Sequence, residues 1–288
     1  MLIFKKQIVG LIIMKMERID LYEYFGIKKP DGACGYLNCF IREKSPHYSI
    51  NRSRPAMLVL PGGGYHMRSD RENEPIVIEF LANGYNAFSL EYSVGKFLHP
   101  TQLIEGAMAI TYIRENALEL GVNKDCIGAI GFSAGGHLAG MLGTMFNDEE
   151  VVSALGDRAK NARPDAVVLS YPVASAFEHA EKGSIENICG DFDVLRKKVD
   201  IPNRVDANSS PAFIWATVDD EIVDSENSLM LGIAYKKANV PFALHIFESG
   251  QHGLALANND VNTPSSDVRA WVKMCFSWLE QRGFTYIN

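Results

Sequence analysis

The 288-residue chain predicts an α/β fold, a mostly parallel, doubly wound sheet flanked by helices. Three observations predict it. Short apolar runs of buried-strand type alternate along the chain with longer helical stretches, the order that a parallel sheet with crossover helices requires. These runs end in glycine-rich or acidic loops, and parallel sheets collect their working residues at the carboxyl ends of strands. A hydrophobic fraction of 47% is enough to bury a substantial core. α/β folds of this length are commonly one domain, so residues 1–288 are read as a single domain without internal repeats or a low-complexity linker.

From the amino end, Lys5 and Lys6 precede an apolar run at 8–14 that imitates the basic and apolar regions of a secretory signal. The run is at the short limit for such a region, is followed at once by Lys15, Glu17 and Arg18, and lacks a small-residue cleavage site. It is also too short to span a bilayer, which takes ~20 apolar residues. A true start at Met14 or Met16 is the alternative.

Strand candidates follow at 37–42 and 57–60. The second runs through Pro61 into Gly62, Gly63 and Gly64, whose backbone N–H groups, free of side chains, can turn toward a ligand. Gly63 and Gly64, together with Ala134, are therefore candidate donors to a developing oxyanion, each typically worth ~2.7–4 kcal/mol. No Gly-x-Gly-x-x-Gly and no Lys-Ser/Thr ending is present, which argues against a phosphate-binding loop. A strand at 86–91 and a helix at 103–120 come next.

The strand at 127–131 leads into Gly131-Phe132-Ser133-Ala134-Gly135 and then a helix rich in small residues. That sequence reads as a strand-to-helix turn that exposes one hydroxyl. Glycine is needed on both sides because the serine backbone is strained and a neighbouring Cβ would collide with the packed strand and helix. Ser133 is the candidate nucleophile; the bland alternative is a glycine-rich turn with an ordinary serine.

A strand at 166–171 is followed by 174–210, read as a cap insertion whose Asp191, Asp193, Arg196, Lys197, Lys198 and Asp200 predict a polar cap. The strand at 212–217 ends in a carboxylate cluster. Asp220 is the candidate orienting acid, Asp219 and Glu221 are its understudies, and Asp224 is read as the cap of a helix at 225–238. After the strand at 242–247, His252 lies in a loop bracketed by Gly250 and Gly253, where a mobile general base belongs. His245 and His137, inside a strand and a helix, are read as packed or hydrogen-bonded residues. A helix at 266–280 completes the series. The order Ser133, Asp220, His252 is that of α/β-hydrolases and not of chymotrypsin or subtilisin.

With those residues in place, the chain from about 57 to 256 resembles an α/β-hydrolase-fold carboxylesterase. It is similar to the hormone-sensitive-lipase-like esterases and particularly to the bacterial acetyl esterase or acetylxylan esterase-like group. The resemblance rests on Pro61-Gly62-Gly63-Gly64-Tyr65, Gly84-Tyr85-Asn86-Ala87-Phe88 with Glu91-Tyr92-Ser93-Val94, the Ser133 turn with Gly136-His137-Leu138-Ala139, and the Asp219-Asp220 and His252-Gly253 segments. It implies a Ser133, Asp220, His252 triad, an oxyanion loop at 62–64, and a serine esterase acting on short acyl esters, acetylated sugars or xylo-oligosaccharides above all. Two departures stand out: Pro61 replaces the family's usual His, and Asp224 replaces a frequent Pro. Tyr65, His66 and Tyr92 are candidate pocket residues. Tyr171 and Trp215 could stack on a sugar ring, although core packing explains each at least as well. Rival functions are a serine peptidase of the same fold and a non-catalytic hydrolase-fold binding protein.

A net charge of −7 without a Lys/Arg cluster argues against nucleic acid or an anionic membrane as partner and favours a neutral small-molecule or oligosaccharide ester. A homodimer is left open. Five scattered cysteines without a Cys-x-x-Cys pair indicate neither a disulfide framework nor a zinc site, and point to the cytoplasm. No metal and no organic cofactor is expected.

Overall fold

A computed structural model describes residues 14–43, 53–261 and 263–285; of the signal-like run at 8–14, all but Met14 lies outside them. The elements run β1 (Met14–Asp20), α1 (Leu21–Phe25), β2 (Tyr36–Arg42), β3 (Arg54–Leu60), α2 (Glu74–Ala82), β4 (Asn86–Glu91), α3 (Thr101–Glu115), β5 (Val122–Phe132) and α4 (Ala134–Met145). Then come α5 (Glu149–Leu155), β6 (Ala166–Ser170), α6 (Lys182–Cys189), α7 (Asp193–Val199), β7 (Ala212–Thr217), α8 (Glu226–Ala238), β8 (Phe242–Phe247) and α9 (Ser266–Gln281).

Among the described residues the sheet has eight strands in the order β1-β2-β4-β3-β5-β6-β7-β8. β2 is antiparallel to both of its neighbours, and every other pairing is parallel. This is the α/β-hydrolase arrangement. The central strands are apolar at nearly every position because helices cover both faces. Side chains still alternate between the two layers. Leu58 and Leu60 of β3, Ala129 of β5 and Ile214 of β7 share one buried cluster with Leu103 and Ile110 of α3, Leu138 and Leu142 of α4 and Leu231 of α8. Met57, Val59, Ile130, Phe132, Phe213 and Trp215 face the other way, onto Ile76 and Phe80 of α2 and Trp271 and Trp278 of α9. Trp215 stacks on Trp271 at 5.1 Å and is fully buried, so its role is in the core.

The sequence leaves β1 unread, since its charged Lys15, Glu17 and Arg18 interrupt the apolar run and no position of this edge strand is fully buried. α3 ends at Glu115, short of 120, and the Asn116 Nδ2 donates back to the Tyr112 carbonyl at its end. The 174–210 segment folds into α6, α7 and a short 3₁₀ turn at Ile201–Asn203. Contrary to a simply polar cap, Ile185, Ile188, Cys189, Val199 and Ile201 pack inward while Phe177, Phe192 and Val194 stay exposed.

Since β3 to β8 run parallel, the loops after β3, β5, β6, β7 and β8 emerge at one rim.

Candidate active site

β5 passes directly into α4 through Ser133, whose φ of 53° and ψ of −121° are sparsely populated for a residue with a Cβ. Such a conformation costs on the order of 1–3 kcal/mol and persists only where neighbours enforce it. Here they do. A Cβ on Gly131 would lie 1.9 Å from the Gly135 carbonyl oxygen, and one on Gly135 would lie 2.1 Å from that of Leu60. The Ser133 N–H donates to the Ser170 carbonyl at 3.0 Å, and its own carbonyl accepts from the N–H groups of His137 and Val173.

His252 Nε2 lies 2.9 Å from Ser133 Oγ, and its Nδ1 lies 2.7 Å from Asp220 Oδ2. An ionised carboxylate can only accept, so the proton belongs on Nδ1 and leaves Nε2 as acceptor for the serine hydroxyl. The Asp220 side chain is 1% exposed and the His252 side chain 16%. Asp220 Oδ1 accepts from the N–H groups of Ile222 at 2.9 Å and Val223 at 3.0 Å, which fixes the carboxylate.

The neighbouring carboxylates have other work. Asp219 accepts from the Ser249 hydroxyl at 2.6 Å and the Gly250 N–H at 2.5 Å, bracing the loop that carries His252; those bonds hold its carboxyl below the usual range. Asp224 accepts from the Glu226 N–H at 2.9 Å in the first turn of α8 and pairs with His179, away from His252. Glu221 is exposed.

The glycine loop folds tightly over the end of β3. Gly63 and Gly64 take φ values of 121° and 62°, and a Cβ on Gly63 would meet the Met67 carbonyl oxygen at 2.5 Å. Among the described residues the N–H groups of Gly63, Gly64 and Ala134 donate to no other protein group, whereas the Gly62 N–H donates to Glu72 Oε2 at 2.9 Å. Glu72 answers how a loop lacking the family's usual His is braced. Sequence reasoning missed it, because a charged residue in a polar stretch carries no signal of burial. Tyr92 adds a second brace by donating to the Pro61 carbonyl at 2.5 Å.

The structure places Tyr65 and Tyr92 beneath the loop, fully buried, rather than in the cleft. A phenol ring in the core satisfies its hydroxyl locally. The Tyr65 hydroxyl meets His137 Nδ1 at 2.8 Å, and His137 Nε2 faces the Val199 carbonyl at 2.8 Å. His66 is on the exposed side of the loop and is absent from the cleft wall, as are both tyrosines. His245, in β8, packs on Phe213 of β7, with ring centroids 4.9 Å apart.

The cleft over Ser133 holds about 330 Å³ and is walled by Gly63, Gly64, Arg71, Glu72, Ile222 and His252, with Ser184 and Asn187 contributed by α6. Asn187 Nδ2 donates to the Gly64 carbonyl at 2.8 Å, which ties α6 to the loop. Larger surface grooves, one beside Met230 and Ile233 and one beside Tyr85 and Phe276, contain none of the three triad candidates. Among the described residues no cluster of three or more His, Cys, Asp or Glu could hold a metal, and no helix is long and apolar enough to cross a membrane.

A family model described as BD-FAE matches residues 45–234. Endo-1,4-beta-xylanase B of Butyrivibrio fibrisolvens is 35% identical over 214 residues, covering 72% of this chain and 33% of that protein. The acetylxylan esterase of Xylanibacter ruminicola is 28% identical over 255 residues, covering 85% of this chain and 49% of that one. The chain thus spans between a third and a half of the length of these curated relatives. Among solved structures, the acetyl ester-xyloside bifunctional hydrolase from Caldicellulosiruptor lactoaceticus superposes with a TM-score of 0.82 at 35% identity, covering 96% of this chain and 99% of that one. The carboxylesterase Cest-2923 from Lactobacillus plantarum superposes with a TM-score of 0.80 at 26% identity, with the same coverage of 96% and 99%.

Proposed function

The chain belongs to the BD-FAE family, and from that premise we propose that it is a serine carboxylesterase cleaving short acyl esters, acetyl groups on sugars or xylo-oligosaccharides foremost. The observation that carries the reading is the continuous hydrogen-bonded series from Asp220 through His252 to Ser133. An intact series of this kind also favours an enzyme over a non-catalytic binding protein. Ser133 Oγ attacks the ester carbonyl carbon while its proton passes to His252 Nε2. The oxyanion is held by the N–H groups of Gly63, Gly64 and Ala134. Collapse of the tetrahedral intermediate expels the alcohol, which takes the proton back from Nε2. Water, deprotonated by the same nitrogen, then frees the acid and restores Ser133.

The acyl preference follows from space. A cleft of about 330 Å³ is at the small end of the usual ligand-pocket range of ~300–1,000 Å³. The acetylated xylan alcohol is supported by what the relatives from Xylanibacter and Caldicellulosiruptor are named for. The same proposal takes the chain as one hydrolase domain with 174–210 as its cap. It also places the protein in the cytoplasm, where its five free cysteines stay reduced.

Rates on p-nitrophenyl esters from acetate to decanoate, followed by acetate release from acetylated xylo-oligosaccharides, test the reading. The expected profile peaks at acetate and falls in kcat/KM by at least ~10-fold between butyrate and octanoate, since a longer chain outgrows the cleft. A maximum at decanoate would overturn it.

A further inference from the structure

We propose that Glu72 is a positioning residue that locks the oxyanion loop to the loop carrying the general base, a role that rests on the serine-esterase reading of this site. One carboxylate joins three strand ends. Its Oε2 accepts from the Gly62 N–H at 2.9 Å, at the exit of β3, and its Oε1 accepts from the Tyr171 hydroxyl at 2.8 Å, just after β6. The Tyr171 oxygen in turn accepts from the N–H of Ala255 at 2.9 Å, three residues past His252 in the loop after β8. The Tyr171 ring stands edge-on to the His252 imidazole, with centroids 5.0 Å apart and planes at 69°. Oxyanion loop, tyrosine platform and histidine loop are therefore connected through one side chain that is 2% exposed.

Backbone strain marks two residues of this connection. Tyr171 and Ala255 have φ values of 36° and 48°, in the left-handed region that residues with a Cβ avoid. Such strain is retained only where surrounding contacts over-determine it. The 3₁₀ turn at Asp70–Glu72 is itself folded onto the loop, for the Ser69 N–H donates to the Gly62 carbonyl at 3.0 Å and the Glu72 N–H to that of Ser69 at 3.2 Å.

The chemistry demands a carboxylate. Both partners are donors, so both oxygens must accept. Glutamine can accept from Gly62, but its amide N–H₂ then faces a phenol oxygen that already accepts from Ala255, and the phenol proton loses its acceptor. Burial raises the Glu72 pKa, while the bonds from Tyr171 and Gly62 and the nearby His252 and Arg71 favour the anion. Glu72 also consumes the Gly62 N–H, leaving those of Gly63 and Gly64 for the reacting oxygen. A misplacement of about 1 Å between oxyanion donors and base can cost ~100-fold in rate, and holding that spacing is the work assigned to this side chain.

The test compares wild type, Glu72→Gln, Tyr171→Phe, their double variant and Ser133→Ala on p-nitrophenyl acetate, with the affinity of a trifluoromethyl ketone as mimic of the tetrahedral adduct. Glu72→Gln is expected to lower kcat ~10- to 100-fold with KM within about threefold of wild type, and to weaken the ketone in parallel with kcat. Tyr171→Phe should behave alike. The double variant should lie within about threefold of Glu72→Gln, because both substitutions cut the same connection. Should Glu72→Gln fail to fold, Tyr171→Phe, which deletes a single oxygen, carries the same expectation. A folded variant with kcat within threefold of wild type, or a loss confined to KM, would overturn the role. Full activity in Ser133→Ala would instead refute the serine-esterase reading, whatever Glu72 does.

Discussion

His137 shows how a single buried side chain sets a property of the protein away from the chemistry. Its ring is fully buried between the Tyr65 hydroxyl and the Val199 carbonyl, and burial pushes its pKa down to about 4 from the ordinary 6.5. His99 is pushed down to about 4 for the same reason. A histidine held neutral in the folded state lends stability that is fully present above pH 6.5 and is lost as pH falls toward 4, by at most ~1.4 kcal/mol per pH unit for each ring. Buried Glu72 and Glu105, whose pKa values are raised mainly by burial, act in the opposite sense, because their protonation on acidification favours the fold. The histidine contribution is isolated by comparing wild type with His137→Asn in urea titrations at pH 7, 6 and 5. The stability difference between the two should shrink by about 1 kcal/mol or more as pH falls, and a constant difference would contradict the burial account. Individual residues were legible where their surroundings in sequence were distinctive. His252 stood between glycines and Ser133 in its turn, whereas Tyr65 and Tyr92 offered aromatic rings with no sign of which way they faced.

The turn from β5 into α4 is where the element imposes its geometry on the residue. Gly135→Ala would drive a Cβ to 2.1 Å from the Leu60 carbonyl oxygen and 2.5 Å from that of Pro61, both backbone atoms that cannot swing aside. Gly140→Ala, five residues on in the same helix, meets the Cδ1 methyl of Ile201 at 2.6 Å, the far end of a flexible side chain, and gains up to ~1 kcal/mol of helix propensity. Thermal and urea unfolding should therefore show Gly140→Ala within about 1 kcal/mol of wild type. Gly135→Ala should lose more than ~3 kcal/mol and its activity. Equal stabilities would mean that the turn is not under steric constraint. The strands that form the middle of the sheet were readable because burial on both faces leaves uninterrupted apolar runs. α2 was not, since Asn73, Glu74 and Pro75 at its start break the periodicity, and β1 was not, since an edge strand alternates charged with apolar residues.

At the scale of the whole molecule, the parallel run from β3 to β8 brings residues 119 positions apart, Ser133 and His252, into hydrogen-bond contact, with Asp220 behind them. Chain order and the rule that loops at strand carboxyl ends do the work made that convergence legible. The Glu72 connection and the approach of α6 to the glycine loop were not, because each depends on contacts made only after the sheet and the 174–210 segment are assembled. The measurement that tests the central claim most directly is the site of covalent modification by a fluorophosphonate. Incubation followed by peptide mapping should find one adduct per chain, on Ser133, and none on the Ser133→Ala variant. Modification of another residue, or undiminished labelling of Ser133→Ala, would contradict it.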